Sequence, residues 1–243
     1  MPARKCGQPC PQKLHSVWKG VVVAILASSQ LACTDTQVFS VATPAPVAQV
    51  NVVHNANFGE FHPSTQARQI ANGILLSRDH GGVDFAIIDK IEAMLYVFDA
   101  DGNLRGASAV LLGSARGDDS VPDIGSRPVA AVRPEERTTP AGRFIAERGT
   151  NTQGEDVIWV DYDAAVSMHR VRTTNPAERR LERLATPSAI DNRISYGCIN
   201  VPVAFYETIV APTFSGKRAL VYVLPEVRQL TQVFPFYAGL TKI

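Results

Sequence analysis

The residues best suited to chemistry lie in Arg193-Ile194-Ser195-Tyr196-Gly197-Cys198-Ile199-Asn200-Val201-Pro202, which holds the one cysteine beyond residue 33. A thiol directly after a glycine, between a polar run and an apolar one, is either a nucleophile or a packing residue. Attack requires thiolate, and a free cysteine near neutrality is mostly protonated unless a base or a positive charge stands beside it. Gly197 lets the backbone turn tightly, so that main-chain N–H groups around Cys198 can face a developing oxyanion. The competing reading is that Cys198 merely packs, since free cysteine is among the most buried residue types.

A base is the next requirement, and the chain has five histidines. His15 falls in a basic and apolar leader, His54 and His62 in a polar stretch, and His80 before two glycines. Only His169 lies in a strand-like run, Val166-Ser167-Met168-His169-Arg170-Val171, close in sequence to the thiol. A lone strand histidine often serves structure alone, but a Cys-His couple needs both groups in one sheet region within hydrogen-bond reach.

Composition narrows what such a couple could serve. With 45% hydrophobic and 19% charged residues among 243, the chain suits an exported globular protein with one main domain. Basic residues up to Lys19 precede the apolar run Gly20 to Ala27 and small residues ending Gln30-Leu31-Ala32-Cys33, which reads as an export signal over 1–33. The apolar run is too short to span a bilayer. Cys33 after Ala32 resembles a lipoprotein cleavage site, where the cysteine is lipidated; ordinary cleavage is the alternative. Beyond residue 33 the chain carries 20 basic and 23 acidic side chains, a balance that argues against nucleic acid as partner. With Cys6 and Cys10 in the leader and Cys33 lipidated, Cys198 is the single free thiol of an exported protein, which favours chemistry over a disulfide framework.

The elements that must position the pair follow from the pattern. Residues 34–62, with Thr43-Pro44-Ala45-Pro46, read as a tether. Ser64 caps a helix to about Ser77 within a helical lead-in over 63–83, with Ala67, Ile70, Ala71, Ile74 and Leu75 on one face. Strands are expected at 85–89, 93–98, 104–113, 157–160, 166–171 and 219–224, with an Asp99-Ala100-Asp101-Gly102-Asn103 turn closing a hairpin. Residues 117–137 read as loop, and Thr138-Thr139-Pro140-Ala141-Gly142-Arg143-Phe144 as a turn into another strand. Many short strands with few helices give a mostly β, β-rich α+β fold. Pro202 starts a helix with Val203, Tyr206 and Ile209 on one side.

Thr139-Pro140-Ala141-Gly142-Arg143-Phe144, His169 and Ser195-Tyr196-Gly197-Cys198-Ile199-Asn200, in that order, resemble the L,D-transpeptidase catalytic (YkuD) domain over about residues 84–225. The resemblance implies a sheet sandwich with short flanking helices; residues 226–243, beyond it, carry no recognisable chemistry and read as a C-terminal cover. It implies an exported periplasmic or cell-envelope enzyme that needs no metal or organic cofactor. Its partners would be peptidoglycan stem peptides, and it would touch the membrane only through an N-terminal lipid anchor and act as a monomer. By the same resemblance Cys198 is the nucleophile and His169 the base. The amides of Gly197 and Cys198, with Tyr196, form the oxyanion hole, and Ser195 and Asn200 shape the site.

Three features depart from that pattern. Tyr196 stands where the family has histidine, Arg170 where it has glycine, and the His169-to-Cys198 interval is longer than usual. The excess includes Asn175 to Leu184, a charged helix that could lid the cleft. Of the arginines in this interval, Arg193 and Arg170 are read as carboxylate-binding, while Arg179, Arg180 and Arg183 are read as a solvated helix face. Cysteine acyl transfer is therefore expected, with hydrolysis by the same site and a catalytically silent wall-binding lipoprotein as the alternatives.

Overall fold

Short runs rich in β-branched and aromatic residues set the framework, a sheet with short helices packed on it. The computed structural model describes residues 55–216 and 218–240. The expected export signal, Cys33 and the tether up to residue 54 lie outside the described residues. The strands are β1 (Phe85–Asp89), β2 (Met94–Phe98), β3 (Leu104–Ala109), β4 (Leu112–Gly113), β5 (Gly142–Thr150) and β6 (Asp156–Asp161). They continue with β7 (Val166–Arg170), β8 (Arg193–Ser195), β9 (Ile199–Val201) and β10 (Ala219–Val223).

Eight strands form one mixed sheet in the order β3-β2-β1-β10-β5-β6-β7-β9, and β4 pairs β8 in a short parallel ladder. Leu111, just past the edge strand β3, exchanges backbone hydrogen bonds with Asn200 of the opposite edge strand β9. The sheet therefore curls until its two edges meet. The fold is mostly β with a few short helices, as the sequence pattern requires.

Strand alternation divides the interior in two. Ala86, Ile88, Leu95, Val97, Val221 and Val223 face one core together with Met168, Ile199, Val201 and Tyr206. Phe85, Ile87, Tyr96, Phe98 and Tyr222 face the other, under helix α1 (Thr65–Ser77) and helices α5 (Leu230–Val233) and α6 (Pro235–Leu240). Burial on both faces explains why β1 and β10 read as unbroken apolar runs. The hairpin turn forms as its residues demand: Asp99 Oδ1 accepts the amides of Asp101 and Asn103, and Gly102 takes a positive φ of 84°. The α1 cap forms too, with Ser64 Oγ accepting the Ala67 amide.

Two expectations need correcting here. The tether does not reach residue 62: Ala56 and Phe58 are buried, and Phe58 packs edge-on against Tyr96 and Phe98 at 5.3 and 5.0 Å between ring centres. A few apolar residues in a polar stretch carry no period, so their burial left no pattern. The helix after Pro202 runs through α3 (Val203–Phe205), a π-turn (Tyr206–Val210) and α4 (Ala211–Thr213). Tyr206 and Val210 face the core with Ile209 packed beside them, while Val203 is exposed.

Candidate active site

Parallel pairing of β7 with β9 sets Met168 beside Ile199 and His169 beside Asn200. Met168 and Ile199 face the core, so Ser167, His169 and Asn200 face the other way. Cys198 joins this outward face, because its Sγ lies 3.8 Å from Ser167 Oγ. The thiol is half-buried, and its other hydrogen-bond partner is the Ala165 carbonyl at 3.6 Å. Ser167 and His169 are two residues apart, about 7 Å along the strand. Sulfur and imidazole thus share one face of two paired strands without a hydrogen bond between them.

The imidazole is held in one orientation. His169 Nδ1 is 2.8 Å from the Arg170 carbonyl, which can only accept, so in the neutral ring Nδ1 carries the proton and Nε2 keeps its lone pair. Burial pulls the His169 pKa below its ordinary value, and the charges of Arg172 and Arg180 pull the same way. The Arg170 carbonyl and Glu155 oppose them and lose. The ring therefore favours its unprotonated, base form. It opens on a cleft of about 410 Å³ bordered by Arg170, Arg172, Glu155, Asp156 and Val203.

The cysteine loop is fixed from below. Ser195, buried, donates Oγ–H to the Cys198 carbonyl at 2.6 Å and accepts the Gly197 amide at 3.1 Å. Asn200 Nδ2 donates to the same Cys198 carbonyl at 3.3 Å. Thr139 accepts the Gly113 amide at 2.9 Å and donates to the Gly197 carbonyl at 2.8 Å. Gly197 has φ 127°, and a Cβ there would sit 2.7 Å from the Thr138 carbonyl oxygen, so only glycine fits.

These contacts decide which amides of the loop stay free to donate. No peptide bond is cis among the described residues. The Gly197 C=O and Cys198 N–H thus point in opposite directions across one peptide plane. Anchoring that carbonyl on buried Thr139 turns the Cys198 amide away from the interior. The Gly197 amide, by contrast, is already engaged by Ser195. Tyr196 is exposed beside the loop, with the Arg137 guanidinium 4.0 Å from its ring centre.

The arginines redistribute. Arg193 is not a substrate clamp: its guanidinium pairs with Glu226 at 2.5 Å, and it donates to the Lys90 carbonyl at 2.7 Å. It belongs to a buried cluster in which Lys90 Nζ meets Asp118 at 2.8 Å and the Thr139 carbonyl at 2.9 Å. Asp118 also accepts the amides of Glu226, Val227 and Arg228. Burial would raise the Asp118 carboxyl, but Lys90 and these amides outweigh it and hold it at about 2. Lys90 is fully buried, and desolvation draws it below the usual lysine range despite Asp118 and Glu226.

Arg170 borders the cleft but is tied to Asp156 at 2.9 Å and Glu207 at 2.5 Å. Arg179 pairs with Glu182 on an exposed face, as expected. Arg180 and Arg183 do not lie on a solvated face. Arg180 starts α2 (Arg180–Ala185), is mostly buried, and bridges Glu178 to the Asn200 side chain. Arg183 donates to the Glu178 and Asp191 carbonyls. The charged helix of the long interval is thereby fastened to the residue beside His169. Sequence reasoning missed the contact of Thr139 with the cysteine loop and put Arg180 on a solvated face, because a threonine in a turn and an arginine beside a glutamate look alike wherever they point.

Among the described residues no group of three His, Cys, Asp or Glu side chains is gathered as a metal ion requires, and no helix is long and apolar enough to cross a membrane.

No family model matches the chain, and no curated protein matches it. Solved structures do show likeness. The helical cell shape determining protein Pgp2 from Campylobacter jejuni is 17% identical over 60% of this chain and 49% of its own, with a TM-score of 0.40. The catalytic domain of the E. faecium L,D-transpeptidase is 16% identical over 59% of this chain and 98% of its own, TM-score 0.34. An L,D-transpeptidase from Mycobacterium tuberculosis H37Rv is 13% identical over 58% and 57%, TM-score 0.36. This chain spans about half the length of the first of these proteins. Scores below 0.5 leave the architecture to rest on the strand order and register of this chain itself.

Proposed function

We propose that the protein is an exported cysteine acyl-transferase of the L,D-transpeptidase kind, acting on peptidoglycan stem peptides. The observation that carries the reading is the placement of Cys198 and His169 on one face of the paired β7 and β9, with His169 Nδ1 locked to the Arg170 carbonyl so that Nε2 is the free base. In the resting arrangement the sulfur contacts Ser167 and the Ala165 carbonyl, so the reading requires Sγ to leave those contacts for the imidazole.

In the reaction, Cys198 Sγ attacks a stem-peptide carbonyl while its proton passes to His169 Nε2. The carbonyl oxygen becomes an oxyanion facing the Cys198 amide. The C–N bond then breaks, the terminal amine leaves with the proton from His169, and a thioester remains on Cys198. An acceptor amine attacks the thioester, gives its proton to His169 and restores the thiol. A general base at His169 is worth roughly 10²–10⁴ in rate and an oxyanion donor roughly 10²–10³. Cys33, where lipidated, would anchor the protein at the cell envelope.

The test is incubation of purified protein with disaccharide-tetrapeptides. Cross-linked dimers support transfer, trimmed stems support hydrolysis through the same thioester, and unchanged substrate refutes both. The resting contacts of Cys198 Sγ, which go to Ser167 and Ala165 and not to the imidazole, favour a silent wall-binding protein as the second reading.

A further inference from the structure

Arg137 takes no part in the chemistry described above, yet it lies against the cysteine loop. The following residue, Thr138, presses its carbonyl so close to Gly197 that a Cβ would sit 2.7 Å away. The Arg137 guanidinium lies 4.0 Å above the ring of Tyr196, two residues before the thiol. Its Nε and Nη2 donate to the Val132 carbonyl at 3.3 and 3.2 Å. Those contacts occupy two of five N–H groups and leave three to donate elsewhere.

Arg170, Arg172, Arg180 and Arg193, the other guanidinium groups around the site, each hold a carboxylate of the protein. Among the described residues no carboxylate lies within ion-pair distance of Arg137. A cation held by a carbonyl and a ring face is fixed in place without its charge being neutralised.

We propose that Arg137, stacked on Tyr196, forms a carboxylate-binding subsite beside Cys198 that selects acyl donors carrying a free carboxylate. The planar fork of a guanidinium matches a carboxylate with two parallel hydrogen bonds. The aromatic face and the Val132 carbonyl hold that fork in one plane, so little side-chain freedom remains to be lost on binding. Tyrosine at position 196 also acquires a physical reason: its neutral ring attracts the guanidinium, where a protonated imidazole would repel it. Stem peptides are rich in carboxylates, so the substrate half of this assignment rests on the acyl-transfer reading; the anion preference at Cys198 does not.

Two measurements separate those halves. The first compares iodoacetate with iodoacetamide as alkylating agents, scored at Cys198 by peptide mapping, with iodoacetamide as the uncharged internal reference. Arg137→Gln is expected to lower the iodoacetate-to-iodoacetamide rate ratio roughly three- to fivefold, as loss of one nearby, partly screened charge requires. Arg137→Lys, which keeps the charge without the fork, is expected to retain most of that ratio. The second compares a tetrapeptide donor as its free acid with the same donor fully amidated. The wild type is expected to favour the acid by roughly tenfold in kcat/KM, expressed in KM, and both Arg137→Gln and Arg137→Lys to lose most of that preference.

An iodoacetate ratio unchanged in Arg137→Gln overturns the subsite. So does an acid preference that survives the substitution. A wild type inert toward both peptides refutes the acyl-transfer reading instead and leaves the alkylation ratio to decide the subsite alone.

Discussion

Replacing Lys90 by methionine probes the support beneath the cysteine loop. Lys90 Nζ is fully buried and donates to the Gly117 carbonyl at 2.5 Å, Asp118 at 2.8 Å and the Thr139 carbonyl at 2.9 Å. Methionine fills the channel of the lysine stem but leaves two carbonyls unpaired and removes the nearer cation from Asp118. Removing one partner of a buried ion pair costs about 3–5 kcal/mol. Asp118 keeps three backbone amides and Arg228, which puts the expected loss near the lower end, about 3 kcal/mol. For a domain of this size that lowers the thermal midpoint by about 6–12 °C. The assay is thermal unfolding followed by circular dichroism, and a midpoint within about 2 °C of the wild type would refute the reasoning.

Acid offers a second view of the same cluster. The folded Asp118 carboxyl, at about 2, lies below its unfolded value near 3.8. Its contribution, about 2 kcal/mol, is therefore complete above the unfolded value and lost as pH falls toward 2. Asp118→Asn should flatten the stability profile in that window.

Other substitutions reach further parts of the molecule. Because the folded His169 pKa lies below 6.5, acylation of Cys198 should decline only below that value, and a decline centred above it contradicts the assigned environment. His169→Ala should slow acylation by roughly 10²–10⁴. Thr139→Val removes both the donor to the Gly197 carbonyl and the acceptor of the Gly113 amide. It should cost about 1–3 kcal/mol and slow acylation, while Thr139→Ser restores both; equal rates for the two variants would detach Thr139 from the oxyanion geometry. Phe58→Ala should cost about 3–5 kcal/mol in urea unfolding, whereas a residue of a free tether would cost nothing.

Local chemistry made most of the fold legible. The hairpin around Gly102, the Ser64 cap and the strands β1, β6, β7 and β10 each follow from residues within a few positions of one another. The pairing of β7 with β9 was written less directly, as a strand histidine followed at a distance by a glycine-cysteine turn. The cluster of Lys90, Asp118, Arg193 and Glu226 had no local signature, since each member comes from a different segment and meets the others only after the sheet has curled. Arg193 was misread for that reason: an arginine next to a reactive loop looks available until its carboxylate arrives from the C-terminal segment. The buried side of Arg180 was hidden likewise, because its partner Asn200 stands twenty residues further on, in β9.

Acyl transfer requires that an acyl group reach Cys198 and that His169 activate its thiol. Intact mass after exposure to a carbapenem, whose strained ring carbonyl acylates such thiols, followed by peptide mapping, tests this directly. A single adduct on Cys198, absent from Cys198→Ala and strongly slowed in His169→Ala, is the predicted result. A thiol left unmodified in the folded protein would contradict it.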